Sequence, residues 1–321
     1  IKQTFSNLDM TQFFIDNKII LLFLITKEII TVDEIITHYL IQINDTKSDK
    51  KLLHYFFNEI NGFLDSKRRD EIELEFSNMK SNFDINRQKG ENETYICELI
   101  RNDSIQEFVS YVNRANIKLT TTIEQSIFET NSILLSKEPT LIEYAAFYGS
   151  IQIFQFLRLN GVRLDPLLLR YAIHSKNAEL IHVIEENLEK PFYSNFYKTI
   201  LEEAIKCHHN DIAEYIINNY GNKRDESFCY GLKYYNFCFM PENLNEYEID
   251  FFYQLCEFNN SEIADLFLKN KKIEIDLKKT VELCCLNDSV DVLQVLLNNG
   301  IIGFNDLKKY KKFIQISIPS F

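Results

Sequence analysis

The sequence predicts an all-α protein in which short paired helices recur as a solenoid behind an irregular helical N-terminal region. Three observations carry this. Apolar residues recur at spacings of three and four rather than two, as in Ile153, Phe156 and Leu157. Stop signals such as Gly149 and Asn160-Gly161 close the helices after a few turns. A register consisting of a small residue, a short polar residue five positions later and an apolar triplet then returns along the chain. With 321 residues, 45% of them hydrophobic, the chain is long enough for one large or two to three ordinary domains.

Residues 1–93 are expected to form the irregular part. Phe13, Phe14 and the run Ile20 to Leu24 are helical but not evenly patterned. Thr31-Val32-Asp33-Glu34 reads as a capping box opening a helix through Tyr39. Lys51 to Leu64 reads as one amphipathic helix, with Leu52, Tyr55, Phe56 and Ile60 on one side. The chain turns polar between Asn78 and Thr94, which predicts a linker and a domain boundary there.

The array is expected over residues 94–321, and its clearest unit is Pro139 to Asp165. Thr140-Leu141 opens a helix, Ala145-Ala146 place two small residues on one face, and Gly149 ends it; Ser150 starts a second helix. Two short helices with a polar tip cannot bury their apolar faces alone, so the unit must recur. Aligned on Ala145, further copies centre on Ala172, Ala204, Leu255 and Cys284, with turn residues Asn177, His209, Asn260 and Ser289 in place of Ser150. The triplet recurs as Leu180, Val183, Ile184; Ile212, Tyr215, Ile216; Ile263, Leu266, Phe267; and Val292, Val295, Leu296. The turn residue is expected to accept a hydrogen bond from the first turn of its own helix, and an acid two positions later complements the helix dipole. Spacings of 27, 32, 51 and 29 residues separate the copies, which implies an insertion at about 228–247. Ser104 opens an irregular earlier hairpin in which Phe108, Tyr111 and Val112 are one residue out of phase.

Thr140, Ala145-Ala146, Gly149, Ile153, Leu157 and Asn160-Gly161 together resemble an ankyrin repeat, although Thr140-Leu141-Ile142-Glu143 stands where the family has Thr-Pro-Leu-His. Tyr95 to Asn113 and Leu141 to Asn187 resemble a divergent group of ankyrin-repeat proteins abundant in some protists. The resemblance implies an ankyrin-type α-solenoid and a protein-binding role. In that layout the residue before the small pair and the two after it face the concave groove, which nominates Tyr144, Phe147, Tyr148, Tyr171, His174 and Ser175 as an exposed partner-binding strip.

The remaining classes are argued against by composition and motif. A net charge of −12 repels phosphate backbones, so nucleic acid is not an expected partner. The most apolar stretch, Ile19 to Ile25, is shorter than the roughly 20 residues that a membrane span needs. Seven cysteines without framework spacing read as free thiols of a reducing compartment, which predicts a cytoplasmic location and is compatible with a nuclear one. Cys207-His208-His209 lacks a second pair of ligands at finger spacing, and Cys256, Cys284 and Cys285 stand where the central unit has alanines, so neither a metal nor a cofactor is expected. No phosphate loop, serine-hydrolase elbow or dinucleotide turn occurs, and no catalysis is expected. The partner is therefore expected to be another protein. The alternative is a structural spacer or self-assembly scaffold within a larger chain. The chain opens on Ile1 and closes on the alternating tail Phe313 to Phe321, from which we expect an array that continues beyond residue 321 or a frayed end.

Overall fold

A computed structural model describes residues 5–46, 51–79, 82–187, 196–220, 224–240, 249–270 and 274–303. Among the described residues the secondary structure is helical, apart from an isolated antiparallel bridge between Thr122 and Thr140. The chain divides into two compact units, residues 1–188 and 189–321. The expected fraying of the C-terminal tail falls outside the described residues, as does the last part of the expected insertion.

The first unit opens with α1 (Asn7–Phe14), α2 (Lys18–Thr26), α3 (Glu34–Thr46), α4 (Lys51–Tyr55), α5 (Phe57–Ile60), α6 (Ser66–Met79) and α7 (Phe83–Lys89). Leu21, Ile36, Leu40, Tyr55, Phe56 and Ile60 form their shared core. Three expectations are corrected here. The helix expected over Lys51 to Leu64 breaks at Phe56, whose φ of −101° and ψ of 15° leave the helical well, so both Tyr55 and Phe56 can be buried. The polar stretch expected to be a linker contains α7, because Arg87 is buried there, donating to Glu59 Oε2 at 2.8 Å and to the Tyr55 carbonyl at 3.1 Å. Asp33, not Thr31, caps α3 by accepting from the Ile36 amide at 2.9 Å.

Helical hairpins follow: α8 (Tyr95–Arg101) with α9 (Ile105–Arg114), α11 (Leu141–Tyr148) with α12 (Ile151–Leu159), and α13 (Leu168–Ser175) with α14 (Ala178–Asn187). Between α9 and α11 runs an irregular connector that contains the short α10 (Ser132–Leu135). The connector carries Phe128 back into the N-terminal core, where its ring meets Phe83 at 5.4 Å.

The second unit has α15 (Phe196–Lys206) with α16 (Asn210–Tyr220), α17 (Arg224–Lys233) with a 3-10 turn at Phe237–Phe239, α18 (Ile249–Glu257) with α19 (Ser261–Asn270), and α20 (Leu277–Leu286) with α21 (Val290–Asn298). The expected insertion is thus a further hairpin whose outer helix is reduced to a single turn, with Gly231 in the small-residue position and Asn236 in the turn position. Within each unit, successive hairpins meet through their first, or inner, helices (α8 with α11 and α11 with α13, then α15 with α17, α17 with α18 and α18 with α20), and the second, or outer, helices also meet where α9 lies against α12 and α19 against α21. Ala145, Ala172, Ala204, Leu255 and Cys284 are all buried at these contacts, as the register requires.

One backbone feature marks each hairpin. Asp103, Gly149, Lys176, His208, Tyr235, Asn259 and Asp288 all have a φ between 48° and 73°, and each stands immediately before the turn residue. The left-handed residue lets the next amide reach back to the carbonyl five positions earlier and so satisfies a helix-end acceptor. Ser150 N donates to Ala145 O at 2.9 Å, His209 to Ala204 at 2.9 Å, Asn236 to Gly231 at 2.8 Å and Ser289 to Cys284 at 2.8 Å.

The turn side chains do something other than expected. Ser150 does not cap its own helix; its Oγ donates to the Ile100 carbonyl of the preceding hairpin at 2.5 Å. Asn236 Nδ2 likewise reaches the Ile205 carbonyl at 2.9 Å, and Asn260 Nδ2 reaches Leu232 at 3.4 Å. Asn177 does both, accepting from the Leu180 amide at 3.1 Å and donating to Gly149 O at 3.2 Å. The missing caps come from the neighbour: Asp103 accepts from the amides of Gln152 at 3.0 Å and Ile153 at 2.9 Å, at the start of α12. Asn259 Oδ1 accepts from the Val292 amide in the same way at 3.3 Å.

Two variants test this arrangement by chemical denaturation. Lys176→Gly removes a left-handed non-glycine residue on the surface, and should raise stability by roughly 1 kcal/mol. Asp103→Ala removes the cap supplied to α12 and should lower stability by about 1 kcal/mol. A loss of stability in the first, or none in the second, contradicts the turn geometry.

Candidate functional site

The nominated strip lies on the inner-helix face of the first unit, and the structure covers much of it. Tyr144 is 1% exposed, Tyr171 3% and Phe147 9%, while Tyr148, His174 and Ser175 are half-buried. The expectation of an exposed aromatic strip is corrected for the first three. Neighbouring inner helices lie close enough for side chains of this size to pack across the gap. Phe147 stacks on His174 of the next inner helix with ring centroids 4.7 Å apart, and within α11 Tyr144 packs against Tyr148 at 4.8 Å.

Arg101, at the end of α8, organises this region. Its Nη1 donates to the Tyr144 hydroxyl at 2.8 Å and to the Asn92 carbonyl at 2.6 Å. Its Nε pairs with Glu91 Oε2 at 3.2 Å, and its guanidinium lies 5.9 Å from the Tyr148 ring centre. Burial holds the Tyr144 and Tyr148 hydroxyls well above the usual phenol range, and pushes the Cys97 thiol up to about 11. These groups therefore stay protonated near neutral pH and act as hydrogen-bonding and packing groups rather than nucleophiles.

Two segments of the chain's own backbone border this face. Thr130 donates to the Gly90 carbonyl through its amide at 3.1 Å and its hydroxyl at 2.9 Å. Asn92 Nδ2 donates to the Glu124 carbonyl at 2.9 Å, and the Ser126 hydroxyl donates to Glu93. Residues 90–94 and 121–131 are thereby joined to each other beside α8 and α11. At the edge of α11, Thr140 and Glu143 form a reciprocal capping box, and Glu143 Oε1 also accepts from Lys137 Nζ at 2.7 Å.

In the second unit the same register gives a different surface. Two residues past the small position stand Lys206, Lys233, Glu257 and Leu286, all exposed. Sequence reasoning drew its candidates from the two copies around Ala145 and Ala172 and passed over these residues; the register itself locates them. Lys233 Nζ pairs with Glu202 Oε1 at 2.7 Å, and the Tyr234 hydroxyl donates to the same oxygen at 2.6 Å. The cysteines behave as packing residues: Cys256, Cys284 and Cys285 are buried and unbridged, and the Cys256 thiol, held against Cys284, is pushed far up. In Cys207-His208-His209, His208 is the left-handed residue and His209 the buried turn residue.

Tyr144→Phe tests the role of the strip. If the hydroxyl is an internal acceptor for Arg101, its loss leaves a part-buried guanidinium short of one partner and should cost about 1–3 kcal/mol in urea unfolding. An exposed tyrosine would tolerate the change within error.

Compared with protein-family models and with curated proteins, the chain matches none of them.

Proposed function

We propose that the chain is an ankyrin-type array of helical hairpins that binds another protein along its inner-helix face. The observation that carries this reading is the exposed row Lys206, Lys233, Glu257 and Leu286, which holds one register position through consecutive hairpins of the second unit. Side chains of mixed charge and one large apolar group, mounted on packed helices, are presented at low conformational cost, which is how repeat arrays recognise extended partners. Tyr148, His174 and Ser175 give the corresponding half-buried edge in the first unit. No chemistry is assigned to this face; a cytoplasmic or nuclear setting suits its free thiols.

A spacer or self-assembly scaffold is the second reading. The burial of Tyr144, Phe147 and Tyr171 by the chain itself favours it, because those residues serve internal cohesion rather than recognition.

Affinity capture from native lysate, followed by mass spectrometry, separates the two. The triple variant Lys206→Glu, Lys233→Glu, Leu286→Glu should lose the captured protein about tenfold or more, equivalent to on the order of 1.4 kcal/mol of binding. A control altered on the outer helices, Glu214→Lys with Glu262→Lys, should retain it. Equal capture by both, or capture of further copies of this chain alone, contradicts the binding reading and supports the scaffold.

A further inference from the structure

Glu129 is 3% exposed, and it sits where the segments 90–94 and 121–131 meet. Its Oε1 accepts from the amides of Thr130 at 3.0 Å and Asn131 at 2.9 Å, whereas its Oε2 is buried without a hydrogen-bond partner. The next residue back, Phe128, is anchored in the N-terminal core, and the next one on, Thr130, is bonded to Gly90. Facing the carboxyl are Lys18 from α2, Cys97 from α8 and Tyr148 from α11; Arg101 and Glu91 act on Tyr148 in turn. Lys18 is placed to favour the charged carboxylate, yet its ammonium donates to the Ile127 carbonyl at 2.8 Å, and Glu129 Oε2 remains bare. A full charge here is therefore incompletely solvated, and a buried charge of that kind is costly.

We propose that Glu129 is a proton-operated latch, and that its ionisation loosens residues 124–131 from the aromatic face formed by Tyr144 and Tyr148. The switch regulates access to the inner-helix face of the first unit, and so rests on the binding reading for its biological use but not for its operation. Burial raises the carboxyl above its ordinary range, against the hydrogen bonds from the Asn131 and Thr130 amides and against Lys18. The sign follows. A carboxyl raised by folding contributes stability that is complete below its unfolded value and is lost as pH rises through the raised one. The latch is closed at acid pH and opens as pH rises through the raised value.

Hydrogen exchange of the full chain from pH 5 to 8, corrected for intrinsic rates, reads the latch directly at the amides of Phe128, Thr130 and Asn131. In the parent, their protection should fall over part of this range by up to about tenfold per pH unit, the slope of one proton. In Glu129→Gln, which keeps the shape and cannot ionise, it should stay level. Lys18→Met removes the cation that favours the carboxylate, and should move the fall to higher pH. Level protection in the parent, an equal fall in Glu129→Gln, or a shift to lower pH in Lys18→Met overturns the proposal. The measurement needs no partner, so failure of the capture experiment leaves its outcome untouched.

Discussion

Each inner helix in this chain must end on a residue that turns left-handed, because only then does the following amide reach back to the helix's own last carbonyls while the outer helix starts in the opposite direction. Glycine meets that demand freely, but it appears once among these turns, at Gly149, where an added Cβ would lie 2.9 Å from Ser175 Cβ. Elsewhere aspartate, asparagine, lysine, histidine and tyrosine take the position at a cost of roughly 1 kcal/mol each. The cost is offset across the hairpin boundary. Asp103 and Asn259 use their side chains to cap the outer helix of the next hairpin, and Ser150, Asn236 and Asn260 tie their turns to the hairpin before. Local strain and neighbour contact are two sides of one arrangement, which is why a hairpin of eight and nine residues, such as α11 with α12, can hold its shape.

How much of this could be read from residues alone depends on which side chains carry the signal. Ala145, Ala172 and Ala204 are recognisable because small residues are needed where two helices touch, and the structure buries all three. The hairpin of α17 was hidden for the same reason in reverse. Its outer helix has shrunk to Phe237–Phe239, so no apolar triplet marks it, although Gly231 and Asn236 keep the register. The middle residue of each triplet is also less buried than its spacing implies: Tyr215 is 41% exposed and Leu266 51%. Periodicity gives the apolar face of a helix but not how far around that face the neighbours extend.

The expected exposure of Tyr144, Phe147 and Tyr171 did not hold because burial depends on contacts distant in sequence. Nothing near Tyr144 announces that Arg101, 43 residues earlier, donates to its hydroxyl. Nor does the polar composition of residues 90–94 and 121–131 indicate that the two segments pair with each other beside α11. The row beginning at Lys206 was legible in principle, since it follows from the register by counting, and it is the more open of the two surfaces.

The stacking of hairpins depends most on each turn side chain stabilising the hairpin before its own. Asn236 gives the cleanest test, because its Nδ2 donates to Ile205 O at 2.9 Å and to Asn210 Oδ1 at 2.8 Å, both outside its own hairpin. Residue-resolved hydrogen exchange on Asn236→Ala should show lost protection at the amides of His209, in the turn between α15 and α16, and Ala213, in the first turn of α16, as well as around residue 236. Loss confined to residues 224–240, with His209 and Ala213 as protected as in the parent, would contradict it.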